Sequence, residues 1–253
     1  MTFAAYPSLA GRTVFVSGGA TGIGADIVRA FARNHAHVAF VDVQRQEGEA
    51  MAAAVKGAGG TALFLNCDVT DVPALQASIA EARAKLGPIA VLVNNAANDE
   101  RHAVADVTAD YWDRAQNVNL RHHFFAAQAV HPLMRELGFG SIINLSSIAW
   151  RGAADMPAYS AAKAGIIGLT HALARAFGSD NIRVNAIEPG AVMIDRQRRL
   201  WYKTSESVGA IVRLQSIKAT LLGEDVARMA LFLAADDSRM VTKQAIAVDA
   251  GLR

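Results

Sequence analysis

Cysteine occurs once, as Cys67, so no internal disulfide is possible; this suits a reducing compartment, where a lone buried thiol reads as an inert strand residue. The seven histidines, at 35, 37, 102, 122, 123, 131 and 171, show no H-E-x-x-H or Cys/His ligand spacing, and no metal site is expected. No segment has the roughly 18 consecutive apolar residues of a membrane span. Met1 to Gly11 has no basic region followed by an apolar run, so no leader is read there. Charge of one sign is lacking too. The 25 basic and 23 acidic residues leave +2, scattered along the chain, and the densest cluster, Arg196 to Arg199, is short. Neither nucleic acid nor an anionic membrane is an expected partner. Repeats and low-complexity segments are absent. The expectation is a soluble, cytoplasmic protein acting on a small molecule.

What is present is apolar and periodic. With 253 residues and 52% hydrophobic content, the chain can bury one large core, and residues 1–253 read as a single domain. Short β-branched runs, Arg12 to Ser17, His37 to Asp42, Thr61 to Asn66, Ile89 to Val93, Ser141 to Leu145, Ile182 to Ile187 and Ala245 to Val248, read as seven strands. Between them lie helical patterns, including Pro73 to Lys85, a long one from about Asp110 to Leu137, Pro157 to Phe177, and Glu224 to Ala235. Apolar strands alternating with helices predict an α/β fold: a Rossmann-like, doubly wound parallel sheet of seven strands. Ligands of such folds sit at the carboxyl ends of the strands, and Gly18, Gly22, Asp42, Asp68, Asn95, Ser147 and Pro189-Gly190 all follow predicted strands. Residues 191–222 interrupt the alternation and are expected to form a lid over that edge.

Three features carry chemistry. Ser17 to Gly24 (SGGATGIG) joins the first strand to a helix, a context in which backbone N–H groups and the helix dipole accept a diphosphate, although the spacing is G-x-x-x-G-x-G. Asp42, at the end of strand two, can accept from ribose hydroxyls. Its charge repels a 2′-phosphate by about 4 kcal/mol for unit charges about 4 Å apart at an effective dielectric of about 20. NAD is therefore expected over NADP, with Arg45 three residues on as the group that could soften the preference. Thirdly, if Pro157 opens a helix, Tyr159 and Lys163 share one face. A phenol beside an ammonium can exchange a proton with an alcohol.

The glycine pattern, Asn94-Asn95-Ala96-Ala97, Asn119, Ser146-Ser147, Tyr159 with Lys163, and Pro189-Gly190 resemble the short-chain dehydrogenase/reductase family over essentially the whole chain. The resemblance implies a nicotinamide cofactor and a homotetramer or homodimer, with Ala245 to Arg253 as a candidate interface segment. It makes Tyr159 the proton donor or acceptor and has Lys163 lower its pKa while holding the nicotinamide ribose. Ser147, with Ser146 as runner-up, would steady the reacting oxygen, and Asn119 would hold a water linking Lys163 to solvent. The cofactor set it implies is Gly18, Thr21, Gly22, Ile23, Gly24, Asp42, Asp68, Val69, Asn95, Tyr159, Lys163, Pro189, Gly190 and Val192.

A closer likeness, in Asn94 to His102, Tyr111-Trp112, Asn117 to His122, Trp150, Arg196-Gln197 and Trp201-Tyr202, is to the aldose 1-dehydrogenase branch, nearest to D-xylose 1-dehydrogenases. It implies oxidation of the anomeric hydroxyl of a cyclic sugar to a lactone. Candidate sugar contacts are Asn98, Trp150, Arg196 and Gln197, with Ser147 and Tyr159 at the reacting centre. Three positions depart from the family pattern: Ile194 stands where a threonine often bonds the nicotinamide amide, Ala97 replaces a glycine, and Lys243 replaces another near the last strand. The alternatives are a reductase or dehydrogenase for a 3-oxoacyl thioester, a steroid or a small secondary alcohol, and a non-enzymatic dinucleotide-sensing protein.

Overall fold

The computed structural model describes residues 4–252, so the first three residues of Met1 to Gly11, and Arg253 of the candidate interface segment, lie outside the described residues. Seven strands, β1 (Thr13–Ser17), β2 (His37–Asp42), β3 (Thr61–Asn66), β4 (Ile89–Asn94), β5 (Gly140–Leu145), β6 (Ile182–Pro189) and β7 (Ala245–Val248), form one sheet in the order β3-β2-β1-β4-β5-β6-β7. Every neighbouring pair is parallel. Alternation within β1 divides the core. Val14 and Val16 face one layer with Ile27 and Phe31 of α1 (Gly22–Arg33), Met51 and Val55 of α2 (Arg45–Gly57), and Val226 and Leu233 of a late helix, Gly223–Ala234. Phe15 faces the opposite layer with Leu75 and Ile79 of α3 (Val72–Leu86) and with the helices that follow β4 and β5. The chain turns back at β1, so β1 and β4 lie side by side and a crevice opens above their carboxyl ends.

The structure refines three expectations. The helical stretch from Asp110 to Leu137 is present without a gap but changes form on the way: α4 (Ala109–Gln116) passes through a π-helical turn, Asn117–Arg121, into α5 (His122–Leu137). Apolar spacing runs through the junction and conceals it, but the wider turn re-aims one side chain, Asn119. Pro189 does not follow β6; it is the last residue of the strand, in register with Val248, a position where a missing N–H is tolerated. The segment 191–222 is also not irregular throughout. After α6 (Pro157–Phe177) and β6 it folds into α7 (Asp195–Leu200) and α8 (Ser205–Leu214), the second capped reciprocally by Thr204 and Ser207; α9 (Gly223–Ala234) follows. No helix among the described residues is long and apolar enough to cross a membrane.

Candidate active site

The glycine turn is shaped by close approach. Gly18 takes φ +68°, and a Cβ on Gly24 would lie 1.8 Å from the carbonyl oxygen of Gly18 and 2.6 Å from Asn95 Nδ2. The turn is held from behind by the residue after β4: Asn95 Nδ2 donates to the carbonyls of Ser17 (3.1 Å) and Gly18 (2.8 Å), and the Asn95 N–H donates to Ser17 Oγ at 3.0 Å. Asn95 thus shapes the turn, alongside the ribose contact implied for it. No side chain caps the start of α1, and its first turn carries no acidic residue. That uncapped, uncharged N-terminus fits a diphosphate.

Asp42 is 8% exposed, with Oδ2 accepting from the Ala20 N–H at 3.0 Å and Oδ1 from the Gln44 N–H at 3.1 Å. Oδ1 also takes a longer bond from Gln44 Nε2, at 3.4 Å, so Oδ2 keeps the lone pair for a hydroxyl donor. Arg45 turns elsewhere, donating to Asn66 Oδ1 at 3.2 Å and lying 3.8 Å from Glu49. Asp68 Oδ1 accepts from the Thr70 N–H and hydroxyl, and Val69 is buried beside it.

At the other end of the crevice, Pro157 starts α6 and brings Tyr159 and Lys163 over β5. Lys163 is 1% exposed; its Nζ donates to the Leu145 carbonyl at 2.7 Å and stands 5.3 Å from the centre of the Tyr159 ring. Ser147, after β5, hydrogen-bonds the Tyr159 phenol and also accepts from the Ala149 N–H at 3.1 Å. Ser146 points the other way, its hydroxyl donating to the Lys163 carbonyl at 2.8 Å, which makes it a brace for α6.

Burial pulls the Lys163 ammonium down to about 7, opposed by the Asp99 carboxylate. The phenol of Tyr159 is pushed up from its ordinary value, first by burial and then by Asp99, with the Ser147 hydrogen bond acting against both.

Asn119 is 1% exposed and fully engaged. Its Oδ1 accepts from the Asn98 N–H (2.8 Å), and its Nδ2 donates to the carbonyls of Asn98 (3.1 Å) and Ala115 (2.9 Å). The π-helical turn therefore grips the loop after β4. Behind it, His122 donates from Nε2 to the Ala96 carbonyl at 3.0 Å, and burial drives its pKa down to about 3, leaving the ring neutral.

The candidate sugar contacts come together at the mouth, but largely with one another. Arg196 Nη2 donates to Asn98 Oδ1 at 2.8 Å, Arg196 Nε to Asp99 Oδ1 at 3.2 Å, and Gln197 Nε2 to Asp99 Oδ2. Trp150 stacks under the Arg151 guanidinium, 4.4 Å from its ring centre, while Arg151 pairs with the buried Glu188 at 2.6 Å. The indole N–H of Trp150 has no partner among the described residues. Sequence reading missed Asp99, the hub of this cluster, because a loop aspartate gives no sign of partners 97 and 98 positions away. It missed Arg101 for the same reason; that guanidinium pairs with Asp155 at 3.0 Å and stacks at 4.3 Å on Trp201, the residue after α7. Ile194, which replaces the common threonine, packs toward the glycine turn: a Cβ on Gly22 would lie 2.9 Å from Ile194 Cδ1.

The family model described as enoyl-(acyl carrier protein) reductase matches residues 18–253. The chain belongs to the short-chain dehydrogenase/reductase family. It is 49% identical to a probable galactose dehydrogenase of Rhizobium meliloti, over 98% of this chain and 97% of that one. It is 44% identical to the D-xylose 1-dehydrogenase of Caulobacter vibrioides over the full length of both. In structure it resembles a 3-oxoacyl-[acyl-carrier protein] reductase from Brucella melitensis, with a TM-score of 0.90 at 32% identity, covering 98% of this chain and 93% of the other. A blue fluorescent protein from a metagenomic library, solved in complex with NADPH, gives 0.89 at 34% identity, covering 97% and 99%.

Proposed function

We propose that the protein is an NAD-dependent sugar dehydrogenase that oxidises the anomeric hydroxyl of an aldose, a pentose such as D-xylose or L-arabinose or a related sugar, to the lactone. The observation that carries the reading is the convergence of the Tyr159 phenol, the Ser147 hydroxyl and the Lys163 ammonium above β5, in one crevice with an uncapped glycine turn. Tyr159 takes the proton of the substrate hydroxyl, and Ser147 donates to the oxygen as it becomes a carbonyl. Lys163, titrating near neutrality, is suited to passing that proton on, and Asn119 orders the loop beside it. A bound nicotinamide supplies the hydride acceptor. Gly18, Thr21, Gly22, Ile23 and Gly24 would hold its diphosphate and Asp42 the adenosine ribose. Asp68, Val69 and Asn95 would line the adenosine side, and Pro189, Gly190 and Val192 the nicotinamide side.

The preference for NAD is supported by Asp42, whose charge Arg45 does not offset directly because it is turned to Asn66 and Glu49. Asp42→Ala is expected to shrink the ratio of kcat/KM for NAD over NADP by about tenfold or more, as removal of a close like charge demands. Steady-state kinetics with both cofactors checks this, and an unchanged ratio rejects the role of Asp42.

The sugar is supported by the named activities of the two relatives and by the polar mouth, where Asn98, Arg196 and Gln197 form the rim. Sites built to bond hydroxyls discriminate strongly against apolar analogues. The test is an absorbance screen for NADH formation across pentoses, hexoses, deoxysugars and simple secondary alcohols. Aldoses are expected to exceed secondary alcohols in kcat/KM by about 10⁴. Turnover confined to apolar alcohols would favour the second reading, a thioester- or alcohol-specific reductase, to which the 0.90 structural match lends support. A homodimer or homotetramer is supported by Trp112 on α4 and Phe124 on α5, which stand about 40% exposed (41% and 42%). A buried, unpaired Cys67 suits the cytoplasm.

A further inference from the structure

The loop after β4 is held on two sides by different machinery. On its inner side the backbone of Asn98 is locked to Asn119 by a reciprocal pair of hydrogen bonds, 2.8 and 3.1 Å long. On its outer side the next residue, Asp99, is clasped by two side chains of α7 in the lid, Arg196 on Oδ1 and Gln197 on Oδ2, while Asn98 Oδ1 takes a second bond from Arg196. The clasp spans the crevice, joining the carboxyl ends of β4 and β6. Both carboxylate oxygens are spent on the lid, and the side chain is only 22% exposed. A simple surface ion pair would not meet these conditions: two donors from one short helix converge on one carboxylate, and that carboxylate rides on the loop that the π-helical turn exists to grip.

We propose that Asp99 is a positioning residue, through which closure of the lid helix α7 is transmitted to Asn119 and so to the proton-transfer pair. Closure brings Arg196 and Gln197 onto Asp99, Asp99 draws Asn98 against Asn119, and Tyr159 and Lys163 acquire their working surroundings only then. The charge of Asp99 is felt at both Tyr159 and Lys163, so the carboxylate lies toward the reacting centre. The inference rests on the dehydrogenase reading for its kinetic consequence but not for the clasp itself.

The experiment uses the full chain with Asp99→Ala, Arg196→Ala, the double variant and Asp99→Asn, each checked for an unchanged far-ultraviolet spectrum. The first readout needs no substrate: the rate of tryptic cleavage within the lid, at Arg198, Arg199 and Lys203. Each alanine variant is expected to be cut about five times faster than wild type, the size expected of a partly exposed, charge-assisted cluster. The double variant is expected to match Asp99→Ala rather than multiply the two effects. Asp99→Asn, which keeps an oxygen for Arg196 and can pair with a flipped Gln197 amide, is expected to recover at least half of the protection. The second readout separates kcat from KM with the best aldose and follows NADH release by stopped-flow fluorescence. Release is expected to accelerate in the alanine variants while kcat/KM falls, by about fivefold each on the same cluster energy. Cleavage at the wild-type rate, or single effects that multiply in the double variant, would overturn the proposal. Inactivity of the wild type toward every aldose would defeat the sugar reading alone, because the proteolytic readout stands without it.

Discussion

Tyr159→Phe is expected to lower kcat by about a thousandfold, within the range that general acid–base catalysis supplies, while the dissociation constant for NADH stays within about threefold of wild type. The substitution removes one oxygen from a side chain whose ring remains packed 5.3 Å from Lys163 Nζ, so the cofactor surface keeps its shape. Ser147 loses its phenolic partner but still accepts from the Ala149 N–H, which limits the structural cost. Kinetics and a fluorescence titration check the two halves separately. A variant that turned over at the wild-type rate would remove Tyr159 from the mechanism. One that also failed to bind NADH would show that the oxygen serves binding as well as chemistry.

Gly24→Ala is expected to weaken NAD binding by about ten- to hundredfold and to destabilise the fold by about 1–3 kcal/mol, the range for forcing an extra methyl group into a filled space. The methyl group would have to occupy a point 1.8 Å from the Gly18 carbonyl oxygen and 2.6 Å from Asn95 Nδ2, and neither is the loose end of a flexible chain. The turn must widen, and widening breaks the two bonds by which Asn95 fixes the carbonyls of Ser17 and Gly18. Calorimetric titration with NAD and a thermal melt provide the check. Unchanged affinity and an unchanged midpoint would mean that the turn is not the diphosphate site.

Features set by near neighbours were legible in the sequence. A β-branched run ending in Gly18-Gly19 and followed by helical spacing marks strand, turn and helix, and the boundaries of α6 follow from Pro157 at its start. What escaped depends on partners far along the chain or on small departures from regular spacing. The π-helical turn inserts one extra residue per turn into an otherwise continuous apolar pattern, so periodicity carries across Asn117–Arg121 without a sign. Helix α7 is six residues long and has no buried residue, which leaves no amphipathic face to read. The role of Asp99 depends on Arg196 and Gln197, and the raised pKa of Tyr159 depends on burial that only the assembled crevice creates.

The brace that Asn95 forms behind the glycine turn also bears on how the protein comes into being. Asn95 is synthesised 77 and 78 residues after the carbonyls it holds, and β4, which it directly follows, is the strand that flanks β1 on the side away from β2. A nascent chain ending before Ile89 has β1, the glycine residues and α1, yet nothing to hold the turn in its working shape. Cofactor cannot serve as an early template for such a chain. Its binding instead reports that the two halves of the sheet have met, and a cell supplying a nicotinamide cofactor would stabilise the assembled enzyme while leaving the emerging half unassisted.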